Sequence, residues 1–154
     1  MINYREIKRI LVQHIKTHTG HEVILQGSND TQPAYPFCAY TLTSPYLPVS
    51  EAEVDGQLIE DVEMVFSFTW HSTDATEVQE LAHQTVMLFK LTQHRQALGD
   101  LGISFVKVEG IQSRDTFLSI DTERKYGVDI RFRTRHIETS SGELIETVEY
   151  EQQL

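Results

Sequence analysis

Hydrophobic residues recur along this chain with two different periods, and the alternation between them lays out the elements. Over residues 3–18, Ile7, Ile10, Leu11 and Ile15 fall on one helical face, with Asn3 placed to cap the helix, Glu6 as its capping-box partner and Gly20 as the stop. Residues 23–25 read as a short strand, and 27–33 as a polar loop of turn formers. Residues 35–46 are rich in aromatic and β-branched side chains and bounded by Pro36 and Pro45, which predicts a strand. The stretch 48–56 carries Glu51, Glu53 and Asp55 without a basic residue and reads as an exposed acidic loop.

The clearest period-two pattern covers residues 58–70, where Val62, Met64, Phe66, Phe68 and Trp70 alternate with Asp61, Glu63, Val65, Ser67 and Thr69. A strand of that length spans roughly 43 Å, about the diameter expected of a domain this size, so it bends or projects. A second helix follows over 74–91, capped by Asp74 with Glu77, its stripe formed by Val78, Leu81, Ala82, Thr85, Leu88 and Phe89. Residues 92–102 extend that helix or turn. Residues 103–108 read as a strand, 114–123 as a short strand of weaker pattern, and 126–136 as an alternating strand. After a turn at 140–142, residues 144–150 are the last candidate strand.

The order is α-β-β-β-α-β-(β)-β-β. The strands come in runs, which predicts an α+β fold: a mainly antiparallel sheet with two helices on one face. The expected core includes Tyr35, Phe37, Tyr40, Val62, Phe66, Phe68, Trp70, Val78, Leu81, Phe89, Ile130 and Phe132. The 154 residues are expected to form a single domain with a long hairpin arm at about 37–70 and a flexible acidic end at 151–154.

Charge changes this picture. With 13 Lys+Arg against 23 Asp+Glu the formal net charge is −10, which argues against a general nucleic-acid binder. Arg131, Arg133 and Arg135 line one strand face, an unfavourable row unless acids oppose it. Asp61, Glu63 or Glu146 could do so, within the chain or across a subunit boundary, with the internal ladder favoured. No apolar run approaches the ~20 residues of a membrane span, and the charges within the first eleven residues do not suit a signal peptide.

Candidate chemistry is sparse. His14 and His18 have the i, i+4 spacing of metal ligands and His21 follows the helix, but a solvated helix flank is the preferred reading. Cys38 is the one cysteine and sits in an apolar strand, as a core thiol does. No phosphate loop, nucleophile elbow or other catalytic constellation is present, so no enzyme and no cofactor are expected.

The run Tyr35-Pro36-Phe37-Cys38-Ala39-Tyr40-Thr41-Leu42-Thr43-Ser44-Pro45-Tyr46 resembles the YPF-x-x-Y-x-x-x-SPY pattern of a tailed-bacteriophage neck or tail terminator family. Glu123-Arg124-Lys125-Tyr126-Gly127-Val128-Asp129-Ile130-Arg131-Phe132 resembles that family's later RRYGFDVRF-like segment, with Val128 where an aromatic is usual. The resemblance extends over most of the chain. It implies a tail-terminator fold and a structural virion protein: a homohexameric ring at the neck, partnered by the tail tube protein and the head completion or connector protein. DNA would pass through only as cargo, with no cofactor and no membrane. Assembly would take place in the bacterial host cytoplasm. Candidate assembly or lumen residues are Glu51, Glu53, Asp55, Asp61, Glu63, Arg131, Arg133 and Arg135. The alternatives are another head–tail joining or minor tail protein of similar fold, or a small-molecule or metal-binding α+β domain.

Overall fold

The computed structural model describes residues 1–139. In chain order its elements are α1 (Tyr4–Thr19), β1 (Val23–Leu25), β2 (Phe37–Val54), β3 (Gln57–Ser72), α2 (Ala75–Lys90), α3 (Thr92–Asp100), β4 (Ser104–Ser113) and β5 (Arg124–Thr139). The sheet order is β1-β2-β3-β5-β4; β1 runs parallel to β2 and every other pair is antiparallel. This is the expected α+β class.

The helix ends follow their caps. The Asn3 side chain accepts from Glu6 N–H, and Gly20, at φ 74°, closes α1 with its N–H on the Lys16 carbonyl. Asp74 accepts from Thr76 N–H and Glu77 N–H at the start of α2. The reciprocal half of each capping box is diverted: Glu6 is taken by Arg9, and Glu77 accepts from the Ser72 hydroxyl at 2.6 Å.

All three helices cover one sheet face. Ile7, Ile10, Leu11 and Ile15 from α1, Val78, Leu81, Ala82, Val86 and Phe89 from α2, and Leu98 from α3 close over Met64, Phe66, Phe68, Trp70, Val128, Ile130 and Phe132. Trp70 is fully buried, and its indole N–H donates to Thr85 Oγ1 at 2.8 Å, which satisfies the one polar atom the ring brings inside.

Five expectations need correction. There are three helices, not two, among the described residues: Leu91 turns extended (φ −65°, ψ 144°), stops α2, and lets α3 start anew by accepting from His94 and Arg95 N–H. The acidic stretch 48–56 is not a loop but the outer half of β2 and a two-residue turn. Residues 114–123 are not a strand; the β4–β5 ladder ends at Ser113 opposite Tyr126, and the segment between is the connection, with Phe117 and Leu118 almost fully exposed. Tyr35 is exposed instead of core, because its hydroxyl reaches out to Glu123 at 2.7 Å. Tyr40 only borders the core, half-buried against it. The candidate strand at 144–150, Glu146 and the acidic end lie outside the described residues. No helix among the described residues is long and apolar enough to cross a membrane.

Candidate functional site: a three-stranded arm and its charged ladder

The arm grows from an Asp-Gly turn. Asp55 (φ 51°) and Gly56 (φ 77°) both have positive φ, the conformation of a type I′ hairpin turn, which matches the right-handed twist of the strands it joins. From that turn β2 and β3 pair from Val54–Gln57 back to Phe37–His71, and β5 pairs with β3 over its whole length, from Gln57–Thr139 to Ser72–Arg124. The 16 residues of β3 extend about 50 Å. β4 joins β5 only from Arg133 inward, so among the described residues the outer end is three-stranded.

Sequence chemistry explains why the outer edge of β2 pairs with no further strand among the described residues. Beyond Tyr40 its outer edge has no partner among the described strands. Pro45 and Pro48 remove donors there, and register shifts at 42/44, 44/47 and 48/50 bend the strand. Val49, Val54 and Ile137 remain about half exposed near the tip, beside the exposed Glu51, Glu53 and Asp55.

The face away from the helices is the charged one. Opposite register positions place Asp61 against Arg135 and Glu63 against Arg133. Arg135 Nε donates to Asp61 at 2.9 Å. Arg133 grips one Glu63 oxygen through Nε and Nη2, at 2.9 and 2.6 Å, and Arg131 Nη1 takes the other at 3.1 Å. Arg131 Nε also binds Glu109 on β4. The Arg row is therefore opposed inside the chain, as the favoured alternative had it. Burial of Glu63 (7% exposed) would raise its pKa, but the bonds from Arg133 and Arg131 outweigh this and hold it below the usual carboxylate range. Asp61 is held low by Arg135, against a smaller opposing effect of desolvation.

A second polar group ties the arm to the N-terminus. Glu60 is buried and accepts from the Tyr46 hydroxyl at 2.7 Å and from His136 Nε2 at 2.8 Å; these bonds, Tyr46 first, lower its pKa. His136 Nδ1 faces Glu138, which the Met1 ammonium also reaches at 2.6 Å, and the Tyr4 hydroxyl donates to the Pro45 carbonyl.

Nearer the domain body, Arg114 lies flat over Gly127. Its Nη1 donates to Ser67 Oγ and Thr69 Oγ1, and its Nη2 to Asp129 at 2.8 Å. A Cβ at position 127 would fall inside 3.0 Å of the guanidinium. Phe37 stacks on His71 at 4.6 Å between centroids, and His71 Nδ1 sits 3.1 Å from Glu123, at ion-pair distance but outside hydrogen-bonding geometry. Cys38 is fully buried, which pushes its thiol pKa up, the reverse of what a nucleophile needs.

Of the eight candidate assembly residues, Asp61, Glu63, Arg131, Arg133 and Arg135 come together in one ladder, while Glu51, Glu53 and Asp55 stand apart at the tip. Sequence reasoning missed Glu60, Glu109, Arg114 and the Phe117-Leu118 loop. The Asp55-Gly56 dipeptide was the available signal that the hairpin continues to residue 54. His21, grouped in sequence with His14 and His18, instead points its ring at Trp70, 6.0 Å between centroids.

No curated protein matches the chain. A family model described as "Phage neck terminator protein" matches residues 3–153, nearly the full sequence. The long paired arm, its internally opposed charges and its shielded thiol thus sit in a chain that belongs to the phage neck terminator protein family, whose role is structural and not enzymatic.

Proposed function

We propose that this chain folds as a single domain over 1–154 and assembles into a homohexameric ring at the neck of a tailed phage. There it closes the tail tube and joins it to the head completion or connector protein. The observation that carries this reading is the arm. Its outer end is exposed on both faces, it mixes half-exposed Val49, Val54 and Ile137 with acids, and the outer edges of β2 and β5 have no strand partner among the described residues. A monomer gains nothing by holding such a surface rigidly in water, whereas copies around a ring gain contact area from it.

Within this reading Glu51, Glu53 and Asp55 lie at subunit contacts or in the lumen. Asp61, Glu63, Arg131, Arg133 and Arg135 serve assembly by stiffening the arm. The −10 charge per chain is then an asset, since an acidic passage repels phosphate and lets DNA slide as cargo. Assembly takes place in the bacterial host cytoplasm and the product resides in the virion neck.

Two measurements test this. Mass photometry of the purified chain, alone and with the tail tube protein, should show a ring of six that Val49→Asp with Val54→Asp abolishes while circular dichroism is unchanged. Particles made without this protein should show unjoined heads and tails in negative stain. Normal virions from that knockout would overturn the proposal.

A further inference from the structure

Away from the arm, the helix layer holds three imidazoles in mutual contact. His14 and His18 come from successive turns of α1, and His94 from α3. Their ring centroids form a near-regular triangle with sides of 4.6, 4.9 and 4.8 Å. One ligating nitrogen from each lies within 4.8 Å of the others. His94 is buried, His14 half-buried and His18 exposed at the mouth of a cleft of about 220 Å³.

Two features separate this cluster from a chance packing of rings. First, His14 Nε2 is 2.7 Å from the Leu88 carbonyl of α2. A carbonyl only accepts, so Nε2 must carry the proton, and Nδ1 is left with a free lone pair. This is how metal-binding histidines are oriented by their outer partners. Second, among the described residues no carboxylate lines the cleft to compete for the imidazoles as an ion-pair partner, and the one charged side chain there, Arg9, is held by Glu6 at 2.9 Å.

We propose that His14, His18 and His94 form a three-histidine site for a divalent transition-metal ion, zinc above all. An all-imidazole set selects borderline-soft cations over calcium or magnesium, which take oxygen ligands. At Zn–N distances of about 2.0–2.1 Å the nitrogens of a tetrahedral site stand about 3.4 Å apart. The triangle must therefore tighten by roughly 1.4 Å, which the exposed His18 side chain can supply by turning inward. His14 and His18 line the cleft together with Gln13 and Thr17, which gives water a path to the fourth position of the ion. Bound there, the ion pins α1 to α3, and through His14 and Leu88 to α2.

The test uses the full, untagged chain stripped with chelator. Calorimetric titration with zinc should give one ion per chain and a rise in melting temperature. Cobalt should give the visible absorption of a tetrahedral site. His18→Ala, at an exposed position that carries no fold, should weaken binding at least about tenfold and abolish the cobalt band. His83→Ala, exposed on α2, should change neither. Equal zinc binding by His18→Ala and the parent chain, or no saturable binding at micromolar zinc, overturns the proposal.

Discussion

Gly127→Ala tests the clamp that Arg114 makes across the sheet. The new methyl group would stand inside 3.0 Å of three guanidinium atoms, so the guanidinium must retreat by roughly an ångström to reach ordinary contact. That movement breaks or stretches its bonds to Ser67, Thr69 and Asp129. Asp129 is 30% exposed and recovers water, whereas Ser67 and Thr69 are buried and lose a charged donor. Hydrogen bonds to a charged group are worth about 1.5–3 kcal/mol each, and partial re-solvation of Arg114 returns some of that. Alanine also recovers about 0.5–1 kcal/mol of backbone entropy relative to glycine. The net expectation is a loss of about 2 kcal/mol, or a melting temperature lower by about 6 °C. Urea unfolding should be run on Gly127→Ala, Arg114→Ala and the double variant. In the Arg114→Ala background the glycine substitution should cost nothing, giving a coupling of about 2 kcal/mol. Equal costs in the two backgrounds, or a single variant as stable as the parent, would refute the clamp.

Trp70→Ala should cost about 3–5 kcal/mol in the same unfolding assay; wild-type stability would remove Trp70 from the core. Cys38 should resist a thiol reagent in the folded chain and react stoichiometrically in denaturant; rapid native labelling would contradict its burial. Stability should fall with acid in two stages. His14 and His94 have lowered pKa values, so the unfolded chain takes up their protons first, and a small loss begins below about pH 6.5. Glu60, Asp61, Glu63 and Asp115, the last accepting from Arg124 and from Lys125 N–H, are also held low, so their contribution is complete above about pH 5 and disappears as pH drops through the lowered values. A urea midpoint that rises on acidification would show the sign to be wrong.

The pattern of the sequence carried some elements further than others. β3 was legible because it pairs with β5 without a register shift and the irregularities of the other ladder fall on β2, so each β3 residue's face follows from its number. β2 was legible only to Tyr46, since beyond it both faces meet solvent and nothing forces an apolar period. The polar reading of the outer β3 face was right in kind but not in burial: Glu63, Ser67 and Thr69 are covered by arginines from β5 and from the 114–123 connection. α3 hid behind one backbone reversal at Leu91, a local event with no composition signal. The histidine triangle was half visible as an i, i+4 pair. Its third member lies far along the chain on a helix the pattern did not resolve, and only packing brings it in.

The central place of β3 also sets an order of events in folding. The Asp55-Gly56 turn lets β2 and β3 zip locally, within reach of microsecond hairpin closure. β5 docks only by closing long loops, with Glu63 and Arg133 separated by 70 positions in the chain and Asp61 and Arg135 by 74. Until then the central strand of the sheet stands as an uncovered edge carrying an unpaired acidic row. Those acids occupy gatekeeper positions: like charges on two such hairpins oppose the strand-to-strand pairing that Val62, Phe66 and Phe68 favour. The arginines arrive last and cancel the repulsion only once the correct partner is in register.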